Sequence, residues 1–404
     1  MLKKPIINTL VQVLGKGVTI ALSLVTTAIL TRKLGAEIYG SYMLITSVWL
    51  LWDAAADFGS KVIGVREAAN NEGEKRKNIY IQVAWFRLMA SLLMFVVGII
   101  FILSWSGFDG MEWESLLGLA MIGFTAMAGS LEIIFQTEMR MEVKVWMDIL
   151  FPLLFVVWLW ISGGEINLMG VFGVYLITRI ISLVVGLGLV SKIIGKVKII
   201  KPDWIFAKKF LKETWPMGAY MILFSGYDRA VDSILIRQLI GVKDLAFYGL
   251  AYKIYGNLVQ PAYFLINSVF PMLSNKENDR RRLFKETAGL MFLGALVVFG
   301  MVYFLAPWII NVLSGSEFGK SVEVLRILLV AMIFAYAGHL VGFTLIAKGK
   351  QKAVLMVGII SLLVNVIGNL ILIPSWGING AAWITALTEM VATSLMAVML
   401  VRKN

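Results

Sequence analysis

The stretch ILTRKLGAEIYG, residues 29–40, returns far downstream as ILIRQLIGVKDLAFYG, residues 234–249. Ile29-Leu30 matches Ile234-Leu235, Arg32 matches Arg237, and Leu34 matches Leu239. Tyr39-Gly40 matches Tyr248-Gly249 once a short insertion is allowed. Each copy starts at the end of one apolar run, crosses a turn and opens the next run. A second echo, GEIN at 164–167 against WGIN at 376–379, precedes the last apolar run of each half. Two echoes at matching places mark a duplicated chain.

Composition says what solvent this duplicated chain needs. Of its 404 residues 59% are hydrophobic and 15% charged, with a mean hydropathy of +0.83. Soluble domains are about half apolar and about a quarter charged. Runs such as LLMFVVGIIFIL (92–103) and VLMVGIISLLVNVIGNLILI (354–373) approach the length of a membrane-spanning helix, about twenty residues. A transmembrane β-barrel would alternate polar and apolar residues over segments of about ten, and this chain does not. The class is therefore an all-α integral membrane protein. The first apolar stretch, 6–30, is too long for a signal-peptide core and lacks a small-residue cleavage site, so it reads as a retained helix. With no cysteine, disulfide and thiolate chemistry have no place.

Apolar runs between charged or turn-rich breaks give twelve spans, at 6–31, 40–60, 79–104, 115–136, 147–162, 166–190, 213–240, 247–273, 285–310, 324–347, 353–373 and 378–401. The fifth is short and the second ends ambiguously, which leaves eleven open. Loop charge tests the count. With a cytoplasmic N-terminus, the inner segments hold EKRKN, SKIIGKVKIIKPDWIFAKKFLK, NKENDRRRLFK, KGKQK and the terminal Arg402-Lys403. The outer segments, SGFDGMEWES, GGEIN and PSWGING, are acidic or neutral. Basic loops on one side at every turn are the positive-inside pattern. The net charge of +12 thus records topology and contact with anionic inner-leaflet lipids, and nucleic acid is not needed to explain it. Trp105, Trp113, Trp160 and Trp376 fall at outer boundaries, and Trp204 and Trp215 near the inner one, as interfacial anchors do.

The longest loop, 191–212, divides the chain into two six-helix lobes, 1–190 and 213–404, with a basic cytoplasmic linker between. Each half has an even number of spans, so both start inside. The repeats are therefore parallel, and a substrate site is expected in a central cavity near the membrane midplane.

The ordered motifs of LGAEIYGSYMLITSVWLLWDAAADFGSKVIGVREAA (34–69) carry a resemblance. Leu34-Gly35, Tyr39-Gly40-Ser41-Tyr42, Asp57-Phe58-Gly59 and Arg66-Glu67 follow one another there. Downstream come Asp232, the run from Tyr248 to Tyr252, and LILIPSWGINGAAWITALTE (370–389). Together they resemble the polysaccharide-transport branch, the Wzx-type flippases, of the multidrug/oligosaccharidyl-lipid/polysaccharide flippase superfamily. The resemblance runs nearly end to end. It implies alternating access by two lobes that move a lipid-linked oligosaccharide, carried on a polyprenyl diphosphate, from the inner to the outer leaflet of the cytoplasmic membrane. Both termini would be cytoplasmic. The implied partners are that lipid, membrane lipids, and a glycan polymerase or glycosyltransferases.

Ionisable groups inside spans are costly and point to function. Lys16, Arg87, Arg179, Arg229 and Lys253 are the candidate substrate-binding residues, since Arg and Lys suit a diphosphate. Asp53, Asp57, Asp228, Asp232 and Glu389 are the candidates for ion coupling or gating, by proton or Na⁺. Asp53 and Asp57 share a helix face, as do Asp228 and Asp232. The bland alternative is that these groups close one another in buried salt bridges that only fix packing. His339, the only histidine, is read first as a hydrogen-bonded core residue. Pro216 and Pro261 would loosen spans that bend. There is no P-loop, no HExxH and no His/Cys cluster, so no catalytic residue, metal or cofactor is expected and the chain is not read as an enzyme. The rivals are a drug/cation antiporter of the same superfamily and a lipid II-type flippase.

Overall fold

The computed structural model describes residues 3–162, 166–195, 198–226, 230–274 and 280–402. The described residues form helices and turns with no strand. In chain order the helices are α1 (Lys3–Asp57), α2 (Ser60–Ala69), α3 (Gly73–Ser104), α4 (Glu112–Thr137), α5 (Met141–Ile161), α6 (Leu168–Ile194), α7 (Trp204–Ser225), α8 (Val231–Leu239), α9 (Val242–Ser274), α10 (Arg280–Ser314), α11 (Ser321–Ala347) and α12 (Gln351–Val401).

Two helices are too long for one crossing: α1 has 55 residues and α12 has 51. At 1.5 Å per residue they would reach about 83 and about 77 Å. Each is broken by a glycine with positive φ, Gly35 at 69° and Gly377 at 59°, a conformation that side-chain-bearing residues rarely adopt. Pro374 stands just before the second break. These breaks separate the first expected span from the second and the eleventh from the twelfth. The seventh expected span is carried by α7 and α8 together, so the described helices match twelve apolar stretches. Among the described residues eight helices are long and apolar enough to cross a membrane, α1 and α12 among them. The repeated phrase turns on glycine in both copies, Gly35 at φ 69° and Gly241 at φ 108°. The GEIN echo falls partly outside the described residues.

The chain forms two compact units. The first comprises residues 1–34 and 45–225, and the second 35–44 and 226–404. The boundary thus lies after α7 rather than at the basic loop 191–212. Local packing explains why α7 counts with the first unit. Phe206 and Phe210 stack at 5.3 Å between centroids, and Phe210 meets Phe86 of α3 edge-on at 5.1 Å. Gly59 seats against Met217 of α7, and Gly218 seats against the Phe58 ring.

In the first unit α4 packs on α3 and α6, and α2 packs on α3 and α4. Small residues let these helices approach, as expected where lipid supplies no hydrophobic drive between helices: Gly98 meets Leu119, Gly118 meets Ile45 and Gly186 meets Leu131. Ile79, Val83, Ile133, Phe135 and Phe210 form a buried core. In the second unit α11 is the central helix, against α9, α10 and α12. Residues 35–44 belong to this unit. There Tyr39 meets Phe318 edge-on at 5.9 Å, Gly40 lies on the Val242 carbonyl, and the Ala36 amide donates to Glu317 Oε1 at 3.3 Å.

Candidate functional sites

Each unit holds a buried polar centre. In the first, α1 ends at Asp57, and the backbone turns through Phe58 (φ 43°) and Gly59 (φ 72°) before α2 begins. At this break Asp57 Oδ1 pairs with Arg87 of α3. Asp57 is 7% exposed and Arg87 3%. The guanidinium also donates from Nη1 to Ser60 Oγ at 2.7 Å and from Nε to the Ala126 carbonyl of α4 at 2.8 Å. Gly129 supplies the room, since a methyl group there would strike Arg87 Nη2. Asp57 Oδ2 is buried without a hydrogen bond. Three segments, the α1–α2 break, α3 and α4, are thereby held by one arginine.

One helical turn before Asp57, Asp53 is half-buried. Arg179 of α6 lies over the Phe151 ring at 3.8 Å, and its Nε is buried without a hydrogen bond. Further along, Glu132 of α4 bridges Lys61 of α2 at 2.6 Å and Lys144 of α5 at 2.5 Å, and Lys144 reaches Asp148 at 2.6 Å. Lys16 is exposed and makes no ion pair among the described residues. Of the residues expected to hold substrate, the structure therefore sets Arg87 in a closed network, Arg179 on an aromatic ring and Lys16 on the surface of the unit. Arg229 and Asp228 lie outside the described residues.

The second unit is built around Asp232, at the start of α8 and 1% exposed. Two amides of α12, one turn apart, donate to Asp232 Oδ1: Asn369 Nδ2 at 2.7 Å and Asn365 Nδ2 at 3.0 Å. Tyr248 of α9 donates its hydroxyl to Oδ2, and Thr385, past the Gly377 break, stands 3.4 Å from the same oxygen. Tyr248 and Thr385 are themselves 3.0 Å apart. The side-chain oxygens of Asn365 and Asn369 are buried with no hydrogen-bond partner. Lys253, Glu389 and His339 are half-buried in the same unit; each engages neighbours, His339 with the Tyr263 ring at 6.1 Å.

Asp232 and Tyr248 both stand out in the sequence, but Asn365, Asn369 and Thr385 of the same shell are not singled out there. Asn365 and Asn369 sit four apart inside an otherwise apolar run, VNVIGNLILI, and that was the available signal. Thr385 and Ser60 carried none, because hydroxyls are common in membrane helices and usually bond back to their own helix. Gly129 was equally silent.

The family model for polysaccharide biosynthesis proteins matches residues 6–277. The chain belongs to this family. The model for the lipid II flippase MurJ matches residues 262–404. The probable low-salt glycan biosynthesis flippase Agl15 of Haloferax volcanii is 24% identical over 378 residues, covering 91% of this chain and 77% of the relative. The capsular polysaccharide biosynthesis protein CapF of Staphylococcus aureus is 26% identical over 182 residues, 43% of this chain and 45% of the relative. Among solved structures, the lipid II flippase MurJ superposes with a TM-score of 0.81 at 14% identity, covering 96% of this chain and 86% of that one. A multidrug resistance MATE family transporter of the MOP superfamily superposes at 0.79 with 16% identity, covering 95% and 93%. The family member described here is thus a multi-pass helical membrane protein with the fold of that superfamily.

Proposed function

We propose that this polysaccharide biosynthesis family member is an ion-coupled flippase. Its substrate is an oligosaccharide linked to a polyprenyl diphosphate, moved from the inner to the outer leaflet of the cytoplasmic membrane. The observation that carries the reading is the likeness, over 91% of the chain, to a protein named as a glycan biosynthesis flippase. The charge distribution agrees with it. Two buried polar centres would be an unexplained cost in a scaffold, because ionisable groups in spans destabilise unless they serve a pathway. The basic loops support a cytoplasmic placement of both termini. The chain moves its substrate without making or breaking covalent bonds in it, and glycosyltransferases or a polymerase act before and after it.

The coupling ion binds at Asp232. A carboxylate ringed by Asn365, Asn369, Thr385 and Tyr248 offers hard oxygen ligands once either amide turns its oxygen inward, and those oxygens are the ones without partners. Such a set fits Na⁺ through oxygen coordination, and the same carboxylate can instead take a proton. The orphaned amide oxygens favour Na⁺.

The reading is tested in sealed vesicles that contain only this protein and a lipid-linked oligosaccharide in one leaflet. A membrane-impermeant glycosidase reports the leaflet of the sugar. Protein-dependent gain of accessibility, faster with an imposed Na⁺ gradient and not with Asp232→Ala, is the expected result. No gain, with a cationic dye moved instead, would replace the flippase by an antiporter.

A further inference from the structure

The basic linker into α7 is fastened to the first unit. Trp85 Nε1 of α3 donates to the Ile200 carbonyl at 2.9 Å. Gln82 of α3 donates from Nε2 to the Lys201 carbonyl at 2.9 Å, and its Oε1 accepts the Asp203 amide at 2.8 Å. Asp203 in turn caps α7, its Oδ1 accepting the Ile205 and Phe206 amides at 2.8 and 3.2 Å. Gln82 and Trp85 lie inside the third apolar stretch, 79–104, about 5 and about 9 Å beyond its first residue along the helix. The linker therefore runs at the depth of lipid headgroups rather than out in open water. Backbone groups at that depth need partners from the protein, and Gln82 and Trp85 supply them.

This fastening fixes what the linker turns outward. Ile199 is 80% exposed, Trp204 67% and Ile205 85%. Along α7, Trp204, Lys208, Lys212 and Trp215 share one exposed face, while Phe210 and Thr214 are buried on the other. The lysines carry no partner: Lys198, Lys201, Lys208 and Lys212 are exposed and make no ion pair among the described residues. Basic residues elsewhere on the same side of this unit are engaged. Arg66 pairs with Glu67 at 3.0 Å and with Glu213, Arg76 with Glu138 at 3.1 Å, and Arg140 with Glu142 at 2.5 Å. Lys144 holds Glu132 and Asp148. A general excess of basic loop residues does not require such a contrast. Bulky apolar side chains interleaved with unpaired lysines fit an anionic lipid surface, where the apolar groups enter the acyl boundary and the ammonium groups meet phosphates. A soluble phosphate compound would leave the three exposed apolar side chains unexplained, and a soluble protein partner would leave the depth unexplained.

We propose that residues 198–215 form a binding surface for anionic phospholipid headgroups, with the four lysines on the phosphates and Ile199, Trp204 and Ile205 sunk beside the acyl chains. It stands whatever cargo the chain moves. The chain has no cysteine, so Ile205→Cys gives a fluorophore one attachment point, at a side chain that touches little of the protein. The labelled full-length protein in phosphatidylcholine nanodiscs then receives phosphatidylglycerol or phosphatidylcholine, at equal mole fraction, bearing a nitroxide high on one acyl chain. Both lipids should quench. Phosphatidylglycerol should do so with an association constant about fivefold higher, the factor equivalent to the about 1 kcal/mol that one lysine gains near an anionic surface. Exchanging Lys198, Lys201, Lys208 and Lys212 for glutamine should bring the ratio to about one and leave quenching by phosphatidylcholine unchanged. Quenching by neither lipid, or equally by both while the lysines are present, would overturn the surface, and that comparison needs no lysine variant to fold. A ratio unchanged by the lysine exchange would overturn it as well. Displacement of the nitroxide phosphatidylglycerol by undecaprenyl diphosphate at a lower mole fraction than by unlabelled phosphatidylglycerol would give the lysines to the cargo lipid and overturn the assignment to phospholipid.

Discussion

Removing Arg87 should destabilise the first unit far more than its single ion pair suggests. The side chain supplies three bonds, to Asp57, to Ser60 and to the Ala126 carbonyl, from a position only 3% exposed. Arg87→Ala deletes all three and leaves the Asp57 carboxylate buried with no compensating charge. Breaking one side of a buried pair costs about 3–5 kcal/mol. Asp57→Asn should cost a similar amount, because it strands the guanidinium. The double variant Asp57→Asn with Arg87→Leu strands no charge and refills part of the volume. It should therefore be about 2–3 kcal/mol more stable than the sum of the single changes, the coupling expected of residues in one network. The assay is reversible unfolding in mixed micelles, with the helix signal followed against the mole fraction of sodium dodecyl sulfate. A single-variant cost below about 1 kcal/mol, or strict additivity in the double, would refute the buried-network reasoning and return Arg87 to the role of a substrate ligand.

Gly59→Ala should lower the melting temperature of the purified protein. Position 59 has φ 72° and an added methyl would lie 2.8 Å from Met217 Cβ, so the left-handed backbone alone costs about 1–2 kcal/mol; an unchanged melting temperature would show that the break can relax. Gln82→Ala should speed exchange of the Asp203 amide, which donates to Gln82, without altering exchange in α4. Its amide donates to the Lys201 carbonyl at 2.9 Å and accepts from the Asp203 amide at 2.8 Å, and equal protection in the variant would assign the order of that segment to Trp85, which donates to the Ile200 carbonyl at 2.9 Å.

Much of the architecture is legible before any coordinates. Apolar run length and the alternation of loop charge give the twelve stretches, because bilayer thickness and positive loops act on every span independently of its partners. Gly35 and Gly377 stand where long apolar runs had to be divided, and both adopt positive φ. The polar centres are only half legible. That Asp57, Arg87, Asp232 and Arg179 matter follows from the cost of charge in a span, which is local. Which of them are closed and which open depends on neighbours from other helices: Arg87 is saturated by residues up to 39 positions away, and the Asp232 shell draws on residues as far as 153 positions away. No periodicity in one helix encodes such a meeting. Of the expected basic cradle, Arg87 is closed by Asp57, the buried salt bridge that the sequence left open as the alternative.

The division of the chain into its two units does not follow the sequence repeat. By sequence, α7 opens the second copy and residues 35–44 belong to the first, yet α7 counts with the first unit and 35–44 with the second. Each unit thus holds a segment that the repeat assigns to the other copy. A gene cut back to either repeat today would leave one unit short of a helix and the other short of a strap.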